Sequence, residues 1–242
     1  MELLGDALLK RVDITHSYPH CWRTHKPVIF RATKQWFISM DEPYGENEKT
    51  LRQNALESIE NVKFYPEHGK NRLKTMIEGR PDWCISRQRD WGVPIAFFRN
   101  KLTDEIVYDV KVLNYVAEIF ETKGADAWYD MEVKDLLNPE SELNPDDLEK
   151  TMDILDVWFD SGSSCVAVLG TRDNLRFPAD VYFEGGDQYR GWFNSSLMCG
   201  LAAHDSAPYK NVLTHGWVVD GEGKKQSKSI GNVTAPKEII DK

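Results

Sequence analysis

Two short apolar runs, Val181 to Glu184 and Val212 to Val219, flank a stretch whose apolar residues include Trp192, Leu197 and Leu201. Runs this short, with no polar alternation, suit strands buried on both faces, and the stretch between them is long enough for a helix. A strand, a helix and a second strand over this distance form a crossover unit, in which the strands run parallel. Residues 151–242 are therefore expected to form an open α/β sheet, with Val157 to Phe159 as a further buried strand. Sheets of this kind bind ligands at the carboxyl ends of their strands.

Upstream, the chain reads differently. Residues 1–30 suit short strands and turns, with Pro19 and Pro27 breaking any long helix. Leu51, Ala55 and Ile59 lie four apart and predict an amphipathic helix, capped by Thr50 or by loop residues near Asp41. A second helix is expected over Asn71 to Glu78, with Leu73, Met76 and Ile77 inward and Gly79 and Pro81 ending it. Val93 to Phe98 reads as a strand. Leu113, Val116, Ala117 and Phe120 mark a helix that ends at Gly124. Residues 130–150 are acidic and carry Pro139 and Pro145, so they are expected to be a solvated insertion with little core. Pro236 suits the first turn of a last helix.

Composition narrows the function classes. The net charge of −9 argues against a chain that binds nucleic acid through its overall charge. No apolar run approaches the roughly 18 residues of a membrane helix, and no secretory signal pattern opens the chain. The four cysteines, Cys21, Cys84, Cys165 and Cys199, are widely spaced, which suits reduced thiols in the cytoplasm. His16, His20, Cys21 and His25 raise the possibility of zinc. Structural zinc wants paired cysteines, so no protein-bound metal is expected.

Five stretches can carry chemistry. Gly221 to Asn232 is a glycine-framed loop holding Lys224, Lys225, Ser227, Lys228 and Ser229. Glycines let backbone close on a ligand, serines donate hydrogen bonds and lysines neutralise phosphate, although basic glycine loops are often only solvated turns. Tyr182 to Phe193 places Glu184 at a strand end, then Asp187, Gln188 and Trp192. The last two are four apart and share a helix face. Carboxylates beside an amide and an aromatic wall suit a small cationic head with an apolar tail, such as an amino acid. Thr214 to Trp217 offers His215 and Gly216 at a strand end, where they can meet a base or ribose. Asp156 to Ser164 sends polar groups to the same sheet edge, unless Ser163 and Ser164 merely cap a helix. Pro81 to Ile95 carries Trp83, Arg87, Gln88, Arg89, Asp90 and Trp91, and reads better as a packing cluster than as an RNA surface.

Together these stretches resemble the class I aminoacyl-tRNA synthetases, in their isoleucyl branch. Lys225-Gln226-Ser227-Lys228-Ser229 looks like the KMSKS signature, with Gln226 where methionine is usual. Asp156 to Ser163 and Glu184 to Phe193 look isoleucyl, whereas Trp83 to Ile95 is shared with valyl and leucyl relatives. The likeness runs from His16-Ser17-Tyr18-Pro19-His20-Cys21-Trp22-Arg23 and Arg31 to Phe37 onward.

The resemblance implies the second half of a Rossmann-like nucleotide-binding fold plus an inserted connective-peptide subdomain. Residues 1–30 would be exit strands from an editing domain, 31–150 a connective-peptide core with an acidic insertion, and 151–242 the catalytic half. Glu184, Asp187 and Gln188 would bind the aminoacyl-adenylate, with Trp192 and Trp158 walling the isoleucine side chain. His215 and Gly216 would lie by the adenosine. Lys228 and Lys225, helped by Ser227 and Ser229, would hold the phosphates of ATP, which brings Mg²⁺. The implied partners are isoleucine, ATP and tRNA(Ile), in a cytoplasmic, monomeric parent enzyme.

Two family features are missing. None of the six histidines has glycine two residues later, so the His-Ile-Gly-His signature is absent. The editing insertion also lies upstream in this family. An internal segment of a larger synthetase is thus expected, inactive by itself. The alternatives are a non-catalytic nucleotide-binding or structural fragment, a valyl-type synthetase, and an unrelated nucleotidyltransferase. The last would need a histidine pair of its own.

Overall fold

The structure, a computed structural model, describes residues 7–21, 24–45, 48–89 and 91–241. Trp22, Arg23 and Asp90, all within the motifs above, lie outside the described residues. The chain divides into two compact units, Met1–Lys34 and Gln35–Lys242.

In the first unit, the only pairing among the described residues is an isolated antiparallel bridge between His20 and Pro27. Among its described residues no strand longer than this bridge is formed. Tyr18 donates its hydroxyl to the Val28 carbonyl at 2.7 Å, closing the same turn. The Nδ1 atoms of His16 and His20 face the carbonyls of Ser17 and Tyr18. No three His, Cys, Asp or Glu side chains come together in a metal-holding group among the described residues.

The second unit is built on a parallel sheet of three strands: Lys63–Tyr65 (β1), Tyr182–Gly185 (β2) and Asn211–His215 (β3), in the order β2–β3–β1. The crossover expected between residues 181 and 215 is present, its helix spanning Trp192–His204. Phe64, Val212 and Tyr182 are neighbours across the sheet and only 6%, 0% and 4% exposed. They join one core with Leu51, Ala55 and Ile59 of the helix Leu51–Glu60 (α1), Leu73 and Ile77 of His68–Glu78 (α2), and Phe193, Leu197 and Leu201 of the crossover helix. The other face of the sheet is open. Tyr65, Leu213 and Phe183 remain 51%, 40% and 58% exposed, so strands expected to be buried on both faces are buried on one.

α1 begins where its sequence signals place it. Thr50 accepts from the Gln53 amide at 3.1 Å while Gln53 accepts from the Thr50 amide at 3.0 Å, a reciprocal cap. α2 starts three residues earlier than expected and is capped at Gly79.

Several expectations are corrected. β1 lies in the stretch assigned to a separate connective unit, yet it pairs with β3, so packing does not change character at residue 150. Val157 to Phe159 is no strand. It opens the helix Val157–Ser164, with Asp156 accepting the Trp158 amide, and Val157 and Trp158 are 64% and 42% exposed. A short apolar run cannot by itself choose between strand and helix, and the capping aspartate decides. Ser163 and Ser164 sit at that helix's end and bond back to the carbonyls of Asp160 and Ser161, so they are not its N-caps. Gly162 lets this helix meet the crossover helix, since a Cβ there would stand 2.7 Å from the Ser195 carbonyl oxygen.

Residues 130–150 are not a coreless insertion. Leu136, Leu137 and Leu148 join a second core with Phe98, Val112, Val116 and Trp128. Trp128 is fully buried and donates its indole N–H to the Thr151 carbonyl at 2.8 Å. The helix Val110–Lys123 ends at Gly124 as expected, but it buries Val112, Val116 and Ile119 and leaves Ala117 exposed. Val93 to Phe98 supplies only the start of a strand, Phe98–Asn100. In the Pro81 to Ile95 stretch Trp83 is buried, with Arg80 over its ring at 5.1 Å, and Arg87 pairs with Asp156 at 2.8 Å. Trp91 is 91% exposed and packs into nothing.

Candidate functional site

Three loops leave the carboxyl ends of the parallel strands, and a pocket of about 320 Å³ opens between them. Pro66 follows β1, Gly186 and Asp187 follow β2, and His215 and Gly216 end and follow β3. Strand register explains this convergence: Gly185 lies opposite His215, and Glu184 opposite Thr214. The loops are adjacent because the strands are. His215 turns Nδ1 to the Gly216 carbonyl at 2.7 Å and sets its ring edgewise on Phe183 at 5.4 Å. Glu184 is exposed beside this edge, and Gly185 donates its amide to that carboxylate at 3.4 Å.

From the pocket a polar chain runs to the tryptophans. Gln188 donates to Asp187 at 3.2 Å and accepts from the Trp192 amide at 3.0 Å, so one side chain ties the pocket wall to the crossover helix. The Trp192 indole stacks on Tyr182 at 3.9 Å, and its N–H donates to the Ser161 carbonyl and Ser164 hydroxyl. Trp158 packs where only glycine fits. A Cβ on Gly191 would stand 2.7 Å from its ring and 2.6 Å from the Gln188 amide oxygen. Gln188, Trp158 and Trp192 therefore form one cluster, next to the pocket and not lining it. Nearby, burial and then the Asp156 carboxylate push Asp160 above the ordinary carboxylate range.

The lysine loop is held by polar clamps. β3 ends at His215, and Val218 and Val219 beyond it are 66% and 49% exposed, so the apolar run overstates the strand. Val219 bridges Lys225 and turns the chain back. Asp220 accepts the amides of Glu222 and Lys224 and the Asn232 side-chain amide, which holds its carboxyl below the usual range, Asn232 foremost. Asn232 also donates to the Lys225 carbonyl and accepts from the Ser227 amide. Gln226 accepts the Thr234 amide at 3.2 Å, and the hydroxyls of Ser227 and Ser229 share a hydrogen bond at 2.7 Å. Lys225 places its ammonium 3.2 Å from the ring centroid of Trp217, which lines the pocket. Lys228 is exposed.

Of the residues singled out by sequence, Asp187, His215 and Gly216 line the pocket. Gln188, Trp192 and Trp158 adjoin it, and Lys225 reaches it through Trp217. Sequence reasoning missed His68 and Arg72, which form part of its wall. Their four-residue spacing at the head of α2 was the available signal.

The class I tRNA synthetase family (I, L, M and V) matches over residues 10–242. The chain is 71% identical over 242 residues to the isoleucine–tRNA ligase of Aliarcobacter butzleri, covering 99% of this chain and 26% of that enzyme. Identity to the isoleucine–tRNA ligase of Nitratiruptor sp. is 65% over 243 residues, again 26% of the relative. The chain thus spans about a quarter of the length of the curated relatives it matches. In fold it is similar to Mycobacterium tuberculosis methionyl-tRNA synthetase bound by methionyl-adenylate, with TM-score 0.53 and 18% identity over 92% of this chain and 33% of that one. From the family match and these identities, the chain belongs to the class I tRNA synthetases.

Proposed function

We propose that the chain is the part of an isoleucine–tRNA ligase that presents half of the aminoacyl-adenylate site. The carrying observation is the identity of 71% across 99% of the chain to an enzyme of that activity. The geometry agrees with it, since Asp187, His215 and Gly216 share one pocket to which Lys225 is joined by Trp217. In this reading residues 151–242, with β1, are the second half of a Rossmann-like nucleotide-binding fold, and the second core belongs to the connective peptide.

Activation joins the carboxylate of isoleucine to the α-phosphorus of ATP and releases pyrophosphate, with Mg²⁺ travelling on the nucleotide. Such steps are carried by positioning and fixed charge, without a covalent protein intermediate. Glu184, Asp187 and Gln188 hold the amino-acid end, and Trp158 and Trp192 wall its side chain. His215 and Gly216 lie by the adenosine. Lys225 and Lys228, with Ser227 and Ser229, neutralise the phosphates. The longer enzyme then passes isoleucine to tRNA(Ile), as a cytoplasmic monomer.

The test is isoleucine-dependent exchange of labelled pyrophosphate into ATP, run on this chain and on the full-length enzyme that carries it. The full-length enzyme should exchange. This chain alone should not, because a site missing one wall bears full ordering costs for partial contacts. Lys228→Ala in the full-length enzyme should slow exchange by roughly 10²–10³-fold, the usual effect of removing one fixed donor. Exchange driven by valine and not by isoleucine would overturn the substrate assignment. Robust exchange by the isolated chain would overturn the division of the site.

A further inference from the structure

We propose that Arg72 is a substrate-binding residue of the sheet-edge pocket, the cation that receives the anionic oxygens of the ligand. The inference deepens the adenylate reading and rests on it. Arg72 comes from α2, the element after β1, and lines the same pocket as Gly186, His215 and Gly216. It stands one helical turn after His68, which brings both to the same wall.

Three features suit Arg72 to a ligand. First, its charge is uncommitted. Arg52, Arg87 and Arg99 each have a carboxylate within 3.2 Å, whereas Arg72 has no ion pair or hydrogen bond among the described residues. Second, its position is held without using up its donors. The guanidinium carbon lies 5.4 Å from the Tyr189 ring centroid, and that ring is 2% exposed and packed edgewise on Phe193. A buried aromatic face orients a planar guanidinium and leaves its N–H fork free. Third, the fork faces backbone at the strand edge, with Nη1 3.5 Å from where a Cβ on Gly186 would stand. Asp187, the next residue, adds a carboxylate to the same pocket. A cation and an anion in one pocket match a ligand that carries both charges. The anionic group is either a nucleotide phosphate or the amino-acid carboxylate, and a guanidinium fork fits both.

The test titrates the full-length enzyme that carries this chain, as wild type and as Arg72 variants, with AMP, adenosine and isoleucine at millimolar concentrations, followed by equilibrium dialysis. Arg72→Ala should weaken AMP binding roughly tenfold or more while leaving adenosine, which lacks phosphate, within about twofold. Arg72→Lys keeps the charge without the fork and should fall between. Loss confined to isoleucine would support the proposal with the carboxylate as the bound group. Equal AMP and isoleucine affinities in wild type and Arg72→Ala would overturn it and leave the adenylate reading intact. Failure of the wild type to bind any of the three would overturn both. Thermal melting of both variants monitors folding, and a role limited to packing on Tyr189 would move AMP and adenosine equally.

Discussion

The sheet edge and the lysine loop meet at Trp217, but they are held in place by opposite means. Gly186 follows and His215 ends strands whose buried residues, Tyr182 and Val212, sit in a core with Phe193 and Leu197. Their positions follow from buried apolar area, at roughly 25 cal/mol per Å². The lysine loop has no such anchor: Lys224, Lys225, Lys228 and Ile230 are all exposed. Its shape depends on Asp220 and Asn232, two short side chains that satisfy backbone groups across the turn. Hydrogen bonds in water each contribute about 0.5–1.5 kcal/mol net, so the loop can open without unfolding what lies beneath it. A rigid pocket beside a weakly latched arm of charge suits the proposed activation, in which ATP would enter and pyrophosphate leave.

Phe193→Ala strikes the rigid side and should have the largest effect. Phe193 is 0% exposed, among Tyr182, Tyr189 and Tyr209. Its removal should cost about 3–5 kcal/mol in urea unfolding. A loss below about 1 kcal/mol would mean that the sheet edge is not held by this core.

Asn232→Ala strikes the loop instead. Three hydrogen bonds are lost from a half-buried side chain in a loop outside the core, so global stability should fall by less than about 1 kcal/mol. Trypsin cleavage after Lys224, Lys225 and Lys228 should nevertheless accelerate severalfold. Unchanged cleavage would show that the clamp does not hold the loop.

The smallest expected effects separate the two regions by pH. Asp220 has a depressed pKa, so its clamp is fully present above the ordinary value of 3.8 and is lost as pH falls through the lower folded value. The Asn232 side-chain amide NMR signal should report this loosening in acid. Tyr182 and Cys199 behave in the opposite sense. Burial raises both to about 12, from ordinary values of 10.0 and 9.0, so their neutral forms support the core below those ordinary values. That support is lost as pH rises towards 12, and the melting temperature should drop across this window while the Asn232 signal stays put. A core that melts in acid before the clamp loosens would break the comparison.

The sequence by itself determined whatever depends on neighbours along the chain. Thr50 and Gln53 cap a helix because they are three apart, and Gly124 ends one because glycine readily adopts the positive φ found there. The parallel crossover from Tyr182 to His215 was legible because a strand, a helix and a second strand at that spacing form a parallel unit. With it came Asp187, His215 and Gly216 as a group at one strand edge. Tertiary structure decided what depends on distant partners. Val157 to Phe159 became helical under Asp156, whose other oxygen pairs with Arg87, distant in sequence. Leu136 and Leu148 found a core because Trp128 and Phe98, tilted rings with centroids 5.0 Å apart, receive them, which an acidic composition gives no hint of. Arg72 entered the pocket only because β1, distant in sequence from β3, pairs beside it and brings α2 to the carboxyl edge. Periodicity and capping are local in sequence, whereas strand order and side-chain burial are settled by contacts whose entropy cost is met only when the whole core closes.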